Sequence, residues 1–202
     1  MFYEPKEGHP LPHNPFKAIV APRPIGWIGT CSKDGAVNLA PYSFFNAISD
    51  TPPMVMFSSS GIKDSVTFIE ETGEFTANLV SDHLKTHMNA SSVDAPRGVS
   101  EFDYAGLTRA SSKIIAAPRV KEAHASLECV AVDIRRLQDK EGQPTNNYMV
   151  IGEVVGVHID ESILTDGLVD IAKVKPVTRL GYMDYATTES VYQMFRPKWK
   201  DQ

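Results

Sequence analysis

Several sequence features that mark common functional classes are missing from this 202-residue chain. No apolar run reaches the roughly 20 residues that a membrane-spanning helix needs, and no basic-then-apolar segment of the secretory type opens the chain. Only two cysteines are present, Cys31 and Cys129. They lie far apart in strand-like contexts, so we expect reduced thiols and no disulfide. We therefore expect a cytoplasmic protein that does not enter a membrane.

Sequence signatures of nucleic-acid, metal and nucleotide sites are also lacking. The formal net charge of −5 argues against nucleic acid as a partner. His83 and His87 have helical spacing but no third ligand nearby in the sequence, so we predict no bound metal. Neither a Walker A loop nor a Gly-x-Gly-x-x-Gly dinucleotide fingerprint occurs. Any nicotinamide nucleotide would therefore have to bind transiently, without a dedicated domain.

The most informative segment that is present follows two prolines in the first third of the chain. The apolar run Met54–Phe57 predicts a buried strand, which passes through three serines and a glycine into a helix beginning at Asp64 or Ser65. Asp64 suits the N-cap, and Gly73 suits the position after the last turn. Serine hydroxyls, the Lys63 ammonium and the amides of a helix N-terminus together suit a phosphate group. From this segment alone, a plain strand–turn–helix with Lys63 in solvent remains the alternative.

The spacing of strand-like segments predicts a mainly β protein with a few helices. An Asp-Gly turn at Asp34–Gly35 joins two early strands, and long segments beginning at Ala125 and Tyr148 form a hairpin. Six or seven strands that do not alternate with helices favour a closed antiparallel barrel over a parallel doubly wound sheet. Without repeats or linkers, residues 1–202 are expected to form one domain, in which the proline-containing residues 1–15 are an extended N-terminal arm.

Six motifs follow one another along the chain. They are Arg23–Thr30, Asn38–Ala47, Pro53–Ser59, Lys63–Ser65, Thr72–Val80 and Ile151–His158. Together they resemble the flavin reductase-like family of FMN-binding split barrels, over about residues 18–185. The resemblance implies a six- or seven-stranded antiparallel Greek-key barrel and a homodimer with FMN at the subunit interface. For many members it also implies NAD(P)H:flavin chemistry.

The resemblance also implies which residues contact the cofactor. The ten candidate cofactor-binding residues are Tyr42, Ser43, Asn46, Ser58, Ser59, Lys63, Asp64, Ser65, Asn89 and Arg179. Asn46 could instead be a turn amide, Asn89 a helix cap and Arg179 part of a surface ion pair. His158 is the titratable residue that could stand near a nicotinamide, so it is the candidate catalytic residue. A histidine with a purely structural role in a strand is the alternative.

The function implied by the resemblance is that of an FMN-binding flavoprotein. It would act as an NAD(P)H-dependent flavin oxidoreductase, with hydride passing from NADH or NADPH, a transient co-substrate, to flavin N5. The lack of a catalytic triad or carboxylate pair fits, because the cofactor carries the chemistry. A partner oxygenase could receive the reduced flavin. The alternatives are a flavin carrier or electron-transfer protein without efficient NAD(P)H turnover, a structural homodimer without flavin, and a pyridoxal-phosphate-binding relative.

Overall fold

A computed structural model describes residues 1–96 and 98–199. The strands are β1 (Arg23–Pro24), β2 (Gly26–Cys31), β3 (Val37–Tyr42), β4 (Phe45–Asp50), β5 (Pro53–Ser60), β6 (Glu74–Asn78), β7 (Arg109–Ala110), β8 (Arg119–Val120), β9 (Ala125–Gln138), β10 (Pro144–Ile159), β11 (Leu164–Thr165), β12 (Leu168–Val169), β13 (Val177–Arg179) and β14 (Tyr185–Thr187). The helices are α1 (Phe16–Ile19), α2 (Asp64–Thr72), α3 (Lys85–Ala90), α4 (Glu101–Tyr104) and α5 (Ile171–Val174). Short 3-10 turns lie at Pro5–Glu7, Asp82–Leu84 and Glu161–Ile163.

Seven strands form one antiparallel sheet in the order β3-β2-β6-β9-β10-β5-β4. Strands β3 and β4 are the two edges, although they are consecutive in the chain. The sheet curls so that Tyr42 of β3 packs on Phe57 of β5, with ring centroids 4.7 Å apart. This architecture confirms the mainly β, antiparallel split barrel that the sequence predicts. The smaller sheets pair β1 with β13 and β14, β7 with β8, and β11 with β12.

Apolar side chains fill the interior in the alternating pattern of half-buried strands. Val55 and Phe57 of β5 point inward, and Phe75 of β6 meets Phe57 at a ring-centroid distance of 5.7 Å. Each such burial contributes about 1.5–3 kcal/mol relative to an exposed side chain. A second cluster, around the fully buried Trp27, packs α3 and α4 against β2 and β3.

Helix α2 packs against strands β2, β3 and β6 of the barrel. Val66 and Ile69 are buried on its inner face, one helical turn apart. The helix begins at Asp64 as predicted, but its N-cap is Lys63. Gly73 ends it at a φ of +74°, a left-handed conformation that glycine adopts without a Cβ clash, and its N–H donates to Ile69 O.

Most predicted elements agree with the structure, and the differences are local. Residues 84–90, for which the sequence pattern predicts a helix capped by Asp82, divide between a 3-10 turn at Asp82–Leu84 and α3. Asp82 does not cap it, because its carboxylate accepts hydrogen bonds from Lys85 Nζ and Thr187 Oγ1. Residues 188–199, which include the amphipathic pattern over residues 190–195, have no regular structure. Within residues 1–96 and 98–199, no helix has the length and apolarity to cross a membrane.

Candidate functional site

A cleft of about 450 Å³ opens where the two edges of the sheet approach each other. Its walls come from the ends of β3 and β5, the N-terminus of α2, the loop that follows α3, and single residues of α1, α4 and β10. The lining residues are Lys17, Asn38, Ala40, Pro41, Tyr42, Ser43, Phe44, Ser58, Ser60, Lys63, Asp64, Ser65, Ser91, Ser92, Val93, Asp94, Ala95, Glu101 and Asn147. Six of the ten predicted cofactor-binding residues are therefore together in one cavity. Its size is within the range usual for small-molecule sites.

Strand alternation decides which serines of β5 reach the cleft. Ser58 and Ser60 lie on the outer face, and the cross-strand partner of Ser60, Asn147, shares that face. Ser59 points into the barrel, is fully buried, and donates from Oγ to Gly61 O at 2.9 Å. Ser59, one of the predicted cofactor contacts, is therefore outside the cleft lining.

The N-terminus of α2 forms one end of the cleft and carries its first cation. No side-chain hydrogen bond caps this end of the helix. The Lys63 ammonium is 2.9 Å from Asp94 Oδ1, and the two side chains are 53% and 90% exposed. An ion pair this exposed contributes little to stability, so a better anion can displace Asp94 at low cost.

A layer of buried polar groups lies beneath the cleft. Asn38 Nδ2 donates to Ser65 Oγ at 2.7 Å, which joins β3 to α2. The Tyr42 hydroxyl is buried and, among the described residues, has no hydrogen-bond partner. Burial raises the pKa of Tyr42, and the nearby hydroxyls of Ser65 and Ser59 oppose this shift.

Two further buried contacts hold the cleft wall. Glu101, on α4, accepts the Leu39 N–H of edge strand β3 at 3.1 Å. Burial raises the pKa of this carboxyl, and the nearby Asp64 raises it further, while hydrogen bonds from backbone N–H groups oppose the shift. The Trp27 indole N–H donates to Ser91 Oγ at 2.8 Å, so the loop that follows α3 is attached to the barrel core.

A second cation, Lys17 of α1, reaches the cleft from the segment that precedes the barrel. Its ammonium is 5.9 Å from the centroid of the Phe44 ring. The guanidinium of Arg23 is 6.0 Å from the same ring. Phe44 O in turn accepts the Ser58 N–H at 2.8 Å, so this basic and aromatic group adjoins the serines of β5.

Three other predicted cofactor contacts are not among the residues that line the cleft. Asn46 lies on edge strand β4 and accepts the Ala47 N–H through Oδ1. Asn89, on α3, is exposed. The guanidinium of Arg179 lies 4.3 Å from the Tyr185 ring centroid and donates to Tyr182 O.

His158, the candidate catalytic residue, lies outside the cleft lining. Its Nε2 is hydrogen-bonded to the fully buried carboxylate of Glu128. Glu128 also accepts the backbone N–H groups of Lys113, Ile114 and Ile115, in the loop between β7 and β8. Burial would raise the pKa of Glu128, but these four hydrogen bonds together lower it to about 2.

The part of the chain that the structure describes contains no second candidate site built on thiols or metal-ligating side chains. Cys31 and Cys129 are both free and buried, and burial raises the pKa of Cys129 to about 12. Across residues 1–96 and 98–199, no group of three or more histidine, cysteine, aspartate or glutamate side chains is arranged to hold a metal ion.

Comparison with known proteins identifies the family. The model of the flavin reductase like domain matches residues 20–178. The chain belongs to this flavin reductase-like family. An uncharacterized protein of Aquifex aeolicus is 39% identical over 169 residues, covering 81% of this chain and 83% of the relative. The resemblance inferred from the six motifs is thereby confirmed, and it supports a flavin-related function.

Solved structures of flavin reductase-like proteins share the fold. Component B of nitrilotriacetate monooxygenase from Bacillus cereus superposes with a TM-score of 0.86 at 29% identity, covering 96% of this chain and 98% of that one. The 2-nitrobenzoate 2-nitroreductase of Pseudomonas fluorescens gives a TM-score of 0.79 at 27% identity, covering 93% and 91%.

The cleft of this flavin reductase-like protein suits a flavin mononucleotide chemically. A phosphate would find donors in Ser58 and Ser60 on the outer face of β5 and in the Lys63 ammonium. The amides at the N-terminus of α2, which has no side-chain cap, are further donors. Lys17 and Glu101 line the cleft but were not predicted from the sequence, whereas Phe44 and Ser60 belong to the predicted ring-binding and phosphate-binding stretches without being among the ten candidates. The alternation of β5 could have identified Ser60, since it shares a face with Ser58.

Proposed function

We propose that this protein is a cytoplasmic, single-domain flavoprotein that binds FMN in the cleft and transfers electrons to it from NADH or NADPH. The observation that carries the proposal is the convergence of Ser58, Lys63, Asp64, Ser65 and Tyr42 on one cavity in a chain of the flavin reductase-like family. The phosphate-binding residues and the ring-binding stretch come from different elements, so their meeting depends on the fold.

The phosphate of FMN would lie at the N-terminus of α2. Lys63 would exchange its contact with Asp94 for the phosphate, which carries more negative charge. Ser58 and Ser60 would donate from β5, and the amides of the first turn would face the anion. The Asp64 carboxylate repels a phosphate, so its role in this arrangement is to orient the loop.

The ring would lie along the stretch from Ala40 to Phe44. Pro41 has no N–H, so amides of neighbouring residues would have to donate to the ring edge. When bound, FMN supplies the redox chemistry, with N5 as the position that accepts hydride. The residues of the chain align the reactants and exclude water on the barrel side, and no side chain has to transfer a proton.

A homodimer would complete the site. The outer face of β5 and β10 continues from the cleft as a half-buried apolar surface formed by Met54, Met56, Met149 and Ile151. A second copy packed on this surface would cover the open side of the cleft. Asn46 adjoins the surface, since its cross-strand partner is Met56. Asn89 and Arg179, which do not line the cleft of one protomer, stay predicted as cofactor contacts and would reach the flavin from the second subunit.

The catalytic role of His158 stays a prediction. The imidazole bonds to Glu128, which attaches it to the loop between β7 and β8. A direct role would require a bound nicotinamide to reach that side of the barrel.

A flavin carrier without efficient NAD(P)H turnover is the second candidate. The observation that favours it is the lack of a dinucleotide fingerprint in the sequence. Either activity could serve a partner oxygenase, because a structural neighbour is the B component of a monooxygenase.

The test is a flavin titration of the purified protein followed by anaerobic addition of NADH and then NADPH. We expect the wild type to take up FMN and the bound flavin to lose its visible absorption with one donor. Lys63→Met should weaken FMN binding about tenfold, the loss of one charge-assisted contact. Lys33→Met, in the β2–β3 turn and outside the cleft, is the matched control. Failure to bind added FMN overturns the proposal, and a flavin that neither donor reduces favours the carrier.

A further inference from the structure

Helix α1 is held in place although it contributes nothing to the core. None of its four residues, Phe16 to Ile19, is buried. The guanidinium of Arg23 nevertheless donates to Lys17 O, Val20 O and Leu180 O, and this arginine is only 7% exposed. The two terminal nitrogens of this buried guanidinium are bonded to these carbonyls, while its buried Nε has no hydrogen-bond partner among the described residues, so Arg23 fixes the short helix through Nη1 and Nη2.

Close packing between Ala18 and Gly181 also holds α1. A Cβ at Gly181 would lie 2.4 Å from Ala18 Cβ and 2.7 Å from Ala18 Cα. Only glycine allows this approach, because real Cβ contacts do not come that close. The backbone around Lys17 is therefore held by hydrogen bonds from Arg23 and by the close contact between Ala18 and Gly181.

The side chain that α1 sends into the cleft is that of Lys17. Among the described residues, no carboxylate pairs with its ammonium, whereas Lys63 in the same cleft is paired with Asp94. Arg23 cannot substitute for it, since its NH1 and NH2 groups are committed to carbonyls. The backbone of Lys17 is therefore held in place, while its ammonium pairs with no carboxylate of the described residues.

Lys17 belongs to a different element of the cleft wall from the residues proposed to hold the FMN phosphate. Its ammonium lies over Phe44, whose carbonyl bonds to Ser58, whereas Lys63 follows five residues later, beyond the end of β5. The two cations therefore stand on different elements, Lys17 on α1 and Lys63 at the N-terminus of α2. With the FMN phosphate at Lys63, Lys17 is free for an anion that approaches from solvent.

We propose that Lys17 binds a phosphate group of the nicotinamide nucleotide and so orients it over the flavin. This inference rests on the proposed function. It also answers how a chain without a dinucleotide fingerprint could hold such a donor: one positioned ammonium contacts the phosphate, with Phe44 beside it as an aromatic surface. Such a contact gives transient rather than tight binding.

The test compares Lys17→Met, Lys17→Glu and Lys17→Arg with the wild type in their FMN-loaded forms. For NADH or NADPH we expect the KM to rise about tenfold in Lys17→Met and further in Lys17→Glu, with kcat nearly unchanged and recovery in Lys17→Arg. Reduced nicotinamide riboside has no phosphate, so its KM should not change. Calorimetric binding of oxidised NAD⁺ and NADP⁺ gives a readout independent of turnover. FMN affinity should stay at the wild-type value, as it should in the control Lys33→Met.

The outcomes separate the two proposals. A wild type that binds and oxidises the nucleotides, with Lys17→Met equal to it in KM and in NAD(P)⁺ affinity, overturns the role of Lys17 alone. An equal rise in KM for the phosphate-free riboside also overturns it, because the effect would then not come from a phosphate contact. A wild type that no donor reduces and no nucleotide binds overturns the reductase function and this inference together.

Discussion

Two buried carboxylates in the same barrel, Glu101 at the cleft and Glu128 away from it, have pKa values that are shifted in opposite directions. Glu128 is fully buried, accepts three backbone N–H groups and the His158 imidazole, and has its pKa lowered to about 2. Glu101 is 7% exposed, accepts the N–H of Leu39, and has its pKa raised by burial. Glu128, which accepts four hydrogen bonds, holds the loop between β7 and β8, whereas Glu101 holds edge strand β3 and lines the cleft.

The same contrast distinguishes two parts of the outer surface of the sheet. Beyond β2, β6 and β9, the loop over residues 111–118 is held down: Glu128 binds three of its amides, Glu74 accepts the Ala116 N–H, and Thr76 donates to Pro118 O. Beyond β5, no comparable loop covers Ser58 and Ser60 among the described residues, and the cleft lies there.

Replacing each carboxyl group by an amide should give the largest difference in unfolding free energy between the two sites. Glu128→Gln should lower the free energy of unfolding by about 3 kcal/mol at pH 7, because charge-assisted bonds are lost and an amide NH₂ meets backbone donors. Glu101→Gln should cost less than about 1 kcal/mol, since burial already disfavours its charge. Urea denaturation of both FMN-free variants measures the difference. Equal costs would contradict the distinction.

The pH dependence of stability should have opposite signs at the two sites. The folded pKa of Glu128, about 2, is below its unfolded value of about 4.3, so its contribution is complete above pH ~4.3 and is lost as the pH falls towards 2. The folded pKa of Glu101 is raised, so its contribution to stability is present below the unfolded pKa and is lost as the pH rises through the folded pKa. The gap in unfolding free energy between wild type and Glu128→Gln should therefore close on acidification. A gap independent of pH between 7 and 3 would exclude this account.

Removing the exposed ion pair between Lys63 and Asp94 at the cleft should have the smallest effect on binding and stability. Asp94→Asn should tighten FMN binding about threefold, because Lys63 then loses its competing anion, and should leave stability within about 0.5 kcal/mol. Flavin fluorescence quenching at low and high salt measures this change, which should shrink as salt screens the pair. Weaker binding by Asp94→Asn would mean that the aspartate helps to form the site.

Local sequence pattern was sufficient for the elements on which the cleft is built. The apolar run before Ser58, the residues around Asp64 and the glycine at position 73 predicted a strand, a helix and the helix end, all of which the structure contains. These features depend on neighbours within a few residues, where backbone preferences and periodicity act.

Residues placed by distant contacts could not be predicted in this way. Lys17 lies on a helix held by Arg23, which also binds Leu180 O, 157 positions from it along the chain, and the partner of His158 is 30 positions away. Glu101 belongs to a four-residue helix in a segment that reads as loop. No local pattern carries such information, because the deciding partner is chosen by the tertiary fold.

The hydrogen bond between Trp27 and Ser91 has a spectroscopic consequence. The chain has two tryptophans, one fully buried and bonded to the cleft loop, the other, Trp199, 88% exposed in the C-terminal segment. Their emission should separate into a blue component and a red, quencher-accessible one. A Trp199→Phe variant would leave a single indole whose fluorescence reports every rearrangement of the loop at Ser91, so the barrel core supplies its own optical probe of the cleft.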